Sequence, residues 1–191
     1  GSVVLAKKVG EKNFKEFIKK SKLTKNPEIE LEEVGLPHHV KWNRCKLETV
    51  SYGHGITTTP LQATALYAAI SNGGKLIHPS LVKDRKIETS NTIISKDTSN
   101  KMINLLRKVV TSKDGTASLA DKNGYYVGGK TGTAESYGDK KKRINTFISV
   151  FPTYKPNYSL FVMLENPKIN KDLIYNYRGI KTTAPYNTSG W

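Results

Sequence analysis

A single cysteine, Cys45, is all the thiol chemistry this chain holds, which excludes an internal disulfide and a four-cysteine zinc site. Long apolar runs are missing as well. The best windows, Leu61 to Ile70 and Thr146 to Phe151, fall short of the roughly 20 residues a membrane-crossing helix needs. An amino-terminal signal is lacking too, because Val3, Val4, Leu5 and Ala6 run at once into Lys7 and Lys8. Any targeting segment is therefore expected outside this sequence. Acidic residues are scarce: 16 Asp and Glu stand against 31 Lys and Arg, a net charge of +15. What is present is a chain of 191 residues, 37% hydrophobic, which is too apolar for a disordered polymer. It is long enough for one domain with a real core and short for two.

Arginine is the scarce member of the basic excess, with Arg44, Arg85, Arg107, Arg143 and Arg178 against lysines spread along the whole chain. Only Lys140 to Arg143 forms a dense basic cluster. Guanine edges are read mainly by Arg, and no helix-turn-helix or RNA-binding pattern accompanies the charge, so no nucleic-acid partner is expected. A solvated basic surface attracted to anionic polymers or a membrane face accounts for it. His38, His39 and Cys45 could offer metal ligands, but no CxxC or HxxxH spacing supports them, and a loop with diverging histidines explains the segment. No cofactor is expected.

Periodicity gives an α+β reading, helices first and then a three-stranded antiparallel meander. Between Glu11 and Lys22, Phe14, Phe17 and Ile18 fall at helical spacing. Thr24 to Lys46, Glu-rich and holding Pro27 and Pro37, reads as a long surface connection. Thr59, Pro60 and Gly73 then punctuate a helix with an N-cap, a first-turn proline and a terminal glycine. Its Leu61, Ala65, Leu66, Ala69 and Ile70 form a small-residue apolar stripe. Leu76 to Val82 reads as a short edge strand broken by Pro79. In Lys96 to Ser112 the stripe is Met102, Leu105, Leu106, Val109 and Val110. Strands follow at Tyr125 to Thr133, Ile144 to Phe151 and Tyr158 to Leu164, joined by Ser136 to Asp139 and Pro152 to Pro156.

The segment Gly128-Gly129-Lys130-Thr131-Gly132-Thr133-Ala134 stands out. Lys-Thr-Gly on an edge strand between small residues lets a ligand backbone lie alongside while a cation and two hydroxyls face it. In a regular strand Lys130 and Gly132 share one face and Thr131 and Thr133 the other, so grouping them requires a twist that the glycines permit. A phosphate loop is the competing idea, but no long helix follows Lys130 and Thr131.

The same segment, together with Ser51 to Gln62 (Ser-Tyr-Gly-His-Gly-Ile-Thr-Thr-Thr-Pro-Leu-Gln), Tyr67 to Gly74, Pro79 to Lys83 and Asn145 to Pro152, resembles the class B penicillin-binding proteins in composition and order. In particular it is similar to the cell-division peptidoglycan D,D-transpeptidases. The ordered set covers about residues 50 to 167. The resemblance implies the penicillin-binding-protein and serine β-lactamase-like fold, with Ala184 to Trp191 looking like the lead-in to its final helix. It implies acyl transfer through a serine ester, in which the Ser of Ser-x-x-Lys attacks a D-Ala-D-Ala peptide bond. By the same resemblance, Lys130 supplies positive charge, Thr131 and Thr133 bind the carboxylate of the terminal D-Ala or of a β-lactam, and the Thr133 N–H gives half an oxyanion hole. Gly132 lets the acyl chain approach. Tyr52 and His54 line the pocket rim or act as packing residues.

One departure limits this reading. The only Ser-x-x-Lys in the sequence is Ser80-Leu-Val-Lys83, at a position that corresponds to a strand remote from catalysis in the family, and Ser-x-Asn is absent. Gly1 to Lys7 looks like the residues that follow the family's Ser-x-Asn. The chain is thus expected to be the C-terminal half of a transpeptidase domain, residues 1–191 of it, without the nucleophile motif and the last helix. Expected partners are peptidoglycan stem peptides, β-lactams and divisome membrane proteins, with self-association through bare apolar surface. The expected location is the periplasmic face of a bacterial inner membrane, held by an anchor outside this chain. The alternatives are a non-catalytic binding or scaffold module and a serine β-lactamase-like hydrolase.

Overall fold

A computed structural model describes residues 1–38, 41–85, 89–136, 139–168, 172, 174–177 and 180–182. It divides into two compact units, Gly1–Ser99 and Asn100–Trp191.

The first unit is mostly helical. It begins with α1 (Ser2–Val9) and α2 (Glu11–Lys20), joined at Gly10, whose φ of 83° with ψ of 150° is a backbone conformation open essentially to glycine alone. α1 is absent from the periodicity reading because it buries only Ala6. On α2, Ile18 is buried while Phe14 is half-buried and Phe17 lies largely at the surface, so the expected stripe narrows to one residue. Lys15–Glu11 and Lys20–Glu16 ion pairs lace its outer side at i,i+4. The long connection ends in the short helix α3 (Lys46–Val50), which buries Leu47 and Val50.

The punctuated helix is α4 (Pro60–Ser71): the Thr59 hydroxyl accepts from Gln62 N at 3.1 Å, with Pro60 at the first helical position. Its buried residues are Gln62, Ala63, Ala69 and Ile70, and Leu61, Ala65 and Leu66 are only half-buried. Gln62 belongs inside because its amide donates to Lys22 O at 2.7 Å and Lys25 O at 3.2 Å, satisfying turn carbonyls after α2. Burial pushes the nearby Tyr67 phenol up to about 12. After α4 the chain turns through Gly73 and Gly74, with the Gly74 N–H donating to Ala69 O at 2.9 Å. β1 (Lys75–Ile77) then pairs antiparallel with β2 (Thr89–Thr92). The expected strand over Leu76 to Val82 is therefore shorter, ending before Pro79.

The helix α5 (Lys96–Thr111) opens on Ser95, whose hydroxyl accepts from Thr98 N at 3.1 Å. Its buried line is Ser99, Ile103, Leu106 and Val110, rotated from the expected stripe, and Leu105 is 54% exposed. Ser99 joins the line because its hydroxyl donates to Ile70 O and accepts from Gly73 N.

The second unit is built on an antiparallel sheet of β3 (Gly128–Ser136), β4 (Asp139–Phe151) and β5 (Tyr158–Glu165), in that order. This is the expected α+β arrangement with its meander. β4, the central strand, buries Asn145, Ser149 and Val150. Register runs from Gly128↔Val150 to Glu135↔Arg143 on one side and from Ile144↔Glu165 to Phe151↔Tyr158 on the other. Glu135 and Arg143 sit directly opposite and pair at 2.8 Å. Beyond the meander, a hairpin of β6 (Tyr175–Tyr177) and β7 (Ile180–Thr182) adds strands that the sequence reading lacks. Ala184 to Trp191, expected to lead into a last helix, lies outside the described residues.

Candidate active site

The Lys-Thr-Gly segment owes its position to two glycines without room for a side chain. A Cβ on Gly128 would sit 3.0 Å from the Arg107 amide nitrogen of α5, so helix backbone meets strand backbone there. A Cβ on Gly129 would sit 2.5 Å from the Phe147 ring and 2.6 Å from Ile148 O. Arg107 holds the strand's entry, donating to Val127 O at 2.7 Å and pairing with Asp121 at 2.9 Å. Lys130 is thus the first side chain to emerge from a strand start pinned against α5.

β3 pairs with β4 and forms an edge of the sheet, as expected. Lys130 is exposed, and its ammonium donates to Thr131 O at 2.8 Å while lying 3.4 Å from the Thr131 hydroxyl. The same hydroxyl lies 2.9 Å from that of Thr116. Thr116 is absent from the sequence reading, since a contact between two side chains 15 residues apart leaves no periodic trace. Gly132 faces Thr146 across the ladder, and a Cβ there would meet the Thr146 hydroxyl at 2.6 Å, so its room is used by the neighbouring strand. Thr133 is exposed opposite the buried Asn145. A cation and hydroxyls at the edge of a sheet can hold a carboxylate while the strand backbone offers pairing to an extended peptide.

Four residues separate Gly124 from Gly129 ahead of Lys130 and Thr131, the full spacing of a phosphate loop. The structure rules that loop out, because Lys130 and Thr131 lie within a strand and not at a helix N-terminus.

Tyr52 and His54 lie in the first unit, on the turn after α3. There Gly53 N–H donates to Val50 O at 2.9 Å, His54 N–H to Thr49 O at 3.0 Å, and Lys46 Nζ to Gly55 O at 2.6 Å. Their rings stack with centroids 6.4 Å apart. Tyr52 is 61% exposed and His54 is exposed, so neither is a core packing residue. His39 lies outside the described residues, and among the described residues no His, Cys, Asp and Glu grouping could hold a metal ion.

Ser80 borders a cavity of about 680 Å³ in the first unit, with Glu28, Glu30, His78 and Arg85 on its walls. Its hydroxyl donates to Glu30 and accepts from Val82 N at 3.1 Å. Hydrogen bonds from Ser80, the Leu81 N–H and Arg85 pull the Glu30 carboxyl down to about 2. A carboxylate held that low is a poor base for activating a serine near neutral pH, so Ser80 reads as a loop latch.

The family model for the penicillin-binding protein transpeptidase domain matches residues 1–186. A probable peptidoglycan D,D-transpeptidase FtsI of Caulobacter vibrioides is 29% identical over 208 residues, covering 100% of this chain and 33% of the relative. Stage V sporulation protein D of Bacillus subtilis is 30% identical, covering 88% of this chain and 29% of that protein. The chain thus spans about a third of the length of the curated relatives it matches. Among solved structures, the apo TP domain of Burkholderia pseudomallei penicillin-binding protein 3 superposes with a TM-score of 0.79 at 26% identity, over 87% of this chain and 53% of that one. Penicillin-binding protein 3 of Mycobacterium tuberculosis in complex with aztreonam shares the fold, with a TM-score of 0.77 at 23% identity. With its Lys-Thr-Gly strand at the sheet edge and the family model matched almost from end to end, the chain belongs to the penicillin-binding protein transpeptidase domain family.

Proposed function

We propose that this chain forms the Lys-Thr-Gly wall of a division-type peptidoglycan D,D-transpeptidase, which cross-links stem peptides through a serine acyl-enzyme and is a target of penicillin. The observation that carries the reading is the group of Lys130, Thr131 and Thr116 on and beside the edge strand, with one hydroxyl contacted by an ammonium and a second hydroxyl. In this reading Thr131 and Thr133 donate to the carboxylate of the terminal D-Ala, and Lys130 supplies the opposing charge. The Thr133 N–H forms half of an oxyanion hole, a kind of donor whose removal costs about 3 kcal/mol in other enzymes. The attacking serine is not Ser80, which is engaged with Glu30.

The proposed partners are stem peptides ending in D-Ala-D-Ala, β-lactams and the membrane proteins of the divisome. The proposed location is the periplasmic face of the inner membrane. Self-association is proposed through β5, an edge strand whose Leu160, Val162, Met163 and Leu164 are exposed. A scaffold module and a β-lactamase-like hydrolase are the competing readings.

Intact-mass spectrometry after incubation with benzylpenicillin separates them. It would compare this chain with a longer polypeptide that carries a Ser-x-x-Lys motif ahead of Gly1. A stable adduct on the longer polypeptide alone is the expected result. An adduct on the 191-residue chain makes one of its own serines the nucleophile. An adduct that forms and is quickly hydrolysed favours the hydrolase, and no adduct on either favours the scaffold.

A further inference from the structure

We propose that Thr116 is a positioning residue that turns the Thr131 hydroxyl proton toward the carboxylate of the bound ligand. The inference rests on the transpeptidase reading of Lys130 and Thr131. A threonine hydroxyl has one proton to give and two lone pairs to receive. If Thr131 gave that proton to Thr116, it would have none for a carboxylate. The neighbours favour the opposite assignment. Lys130 Nζ, which can only donate, lies 3.4 Å from Thr131 Oγ1, and Thr116 Oγ1 lies 2.9 Å away. With Thr116 donating, both lone-pair directions of Thr131 Oγ1 face donors and its own proton points outward. Donation into an oxygen also polarises its O–H, which strengthens the bond that this proton makes in turn.

The loop that carries Thr116 is built to hold one hydroxyl still. Gly115 N–H donates to Ser112 O at 2.8 Å, and a Cβ at Gly115 would lie 2.1 Å from Val109 O. No other residue lets the loop close so tightly over the end of α5. On the other side Ala117 is buried, and its N–H donates to Val109 O at 3.3 Å. Thr116 is exposed between these two anchors. An exposed side chain between immobilised neighbours, in contact with the hydroxyl assigned to the ligand, has the placement of a support for binding more than of a stabiliser of the fold.

The test measures acylation of the full-length protein by benzylpenicillin and by its methyl ester, which lacks the charged carboxylate. Thr116→Val is expected to slow benzylpenicillin about five-fold, the worth of the one neutral hydroxyl–hydroxyl hydrogen bond that orients Thr131, and to leave the ester's rate unchanged. Thr116→Ser keeps the donor and is expected to restore the rate. In a Thr131→Ala background, Thr116→Val is expected to add nothing. Equal slowing of acid and ester, or no slowing of either, would overturn the role of Thr116 and leave the transpeptidase reading standing. If the unaltered protein is acylated by neither compound, that reading fails and this one fails with it.

Discussion

Gly129 and Gly132 lie on the same strand, yet an added methyl group meets different obstacles at the two positions. At Gly129 it strikes a ring atom of Phe147 and the Ile148 carbonyl, and backbone cannot step aside. Gly129→Ala is expected to destabilise the chain by about 2–3 kcal/mol, read from the urea midpoint. At Gly132 it strikes the Thr146 hydroxyl, the end of a side chain that can rotate, so Gly132→Ala is expected to cost under about 1 kcal/mol. Glu30 supplies a prediction in pH. Its carboxyl is held at about 2 in the fold, below its ordinary 4.5, so the stability it contributes is present above about 4.5 and lost as pH falls toward 2. Glu30→Gln is expected to flatten the stability profile between those limits in acid titrations of the melting temperature, and an unchanged slope would remove Glu30 from the account. Lys130 and its threonines were legible in the sequence because the motif is contiguous. Thr116 was not, because its only announcement is a hydroxyl contact formed after the chain has folded back.

Among elements, the ends of α4 are legible in the sequence because they carry their own chemistry: the Thr59 cap, Pro60 and the glycines that follow. Thr59→Ala is expected to cost about 1 kcal/mol, and Thr59→Ser close to nothing. Gln62→Leu on the same helix is expected to cost more, about 2 kcal/mol, because it leaves the Lys22 and Lys25 carbonyls without that donor. All three are read from denaturant midpoints. α5 shows where apolar counting fails. Ser99 lies in the buried line because its hydroxyl meets a carbonyl, while Leu105 faces water, and only satisfied polarity explains the rotation. α1 leaves little trace in the sequence because Val3, Val4 and Val9 weaken a helical signal that buries one alanine. β6 and β7, three residues each, are too short to display a period.

For the molecule as a whole, the net charge of +15 sets like charges against one another. The ion pairs among the described residues are largely exposed, each worth about 0–1 kcal/mol and weakened by salt. The unbalanced positive charge is the larger effect. Raising sodium chloride from about 20 to 200 mM is therefore expected to raise the melting temperature by a few degrees, and a fall would show that the ion pairs dominate. β4 carries one more consequence. Between Ile144 and Val150 it has a neighbour strand on each side, while β5 has one. In heavy water the two strands would keep different time. Peptides cut from the middle of β4 would hold their protons longest, and β5 would lose its protons at every other amide first, since only alternate N–H groups point toward β4.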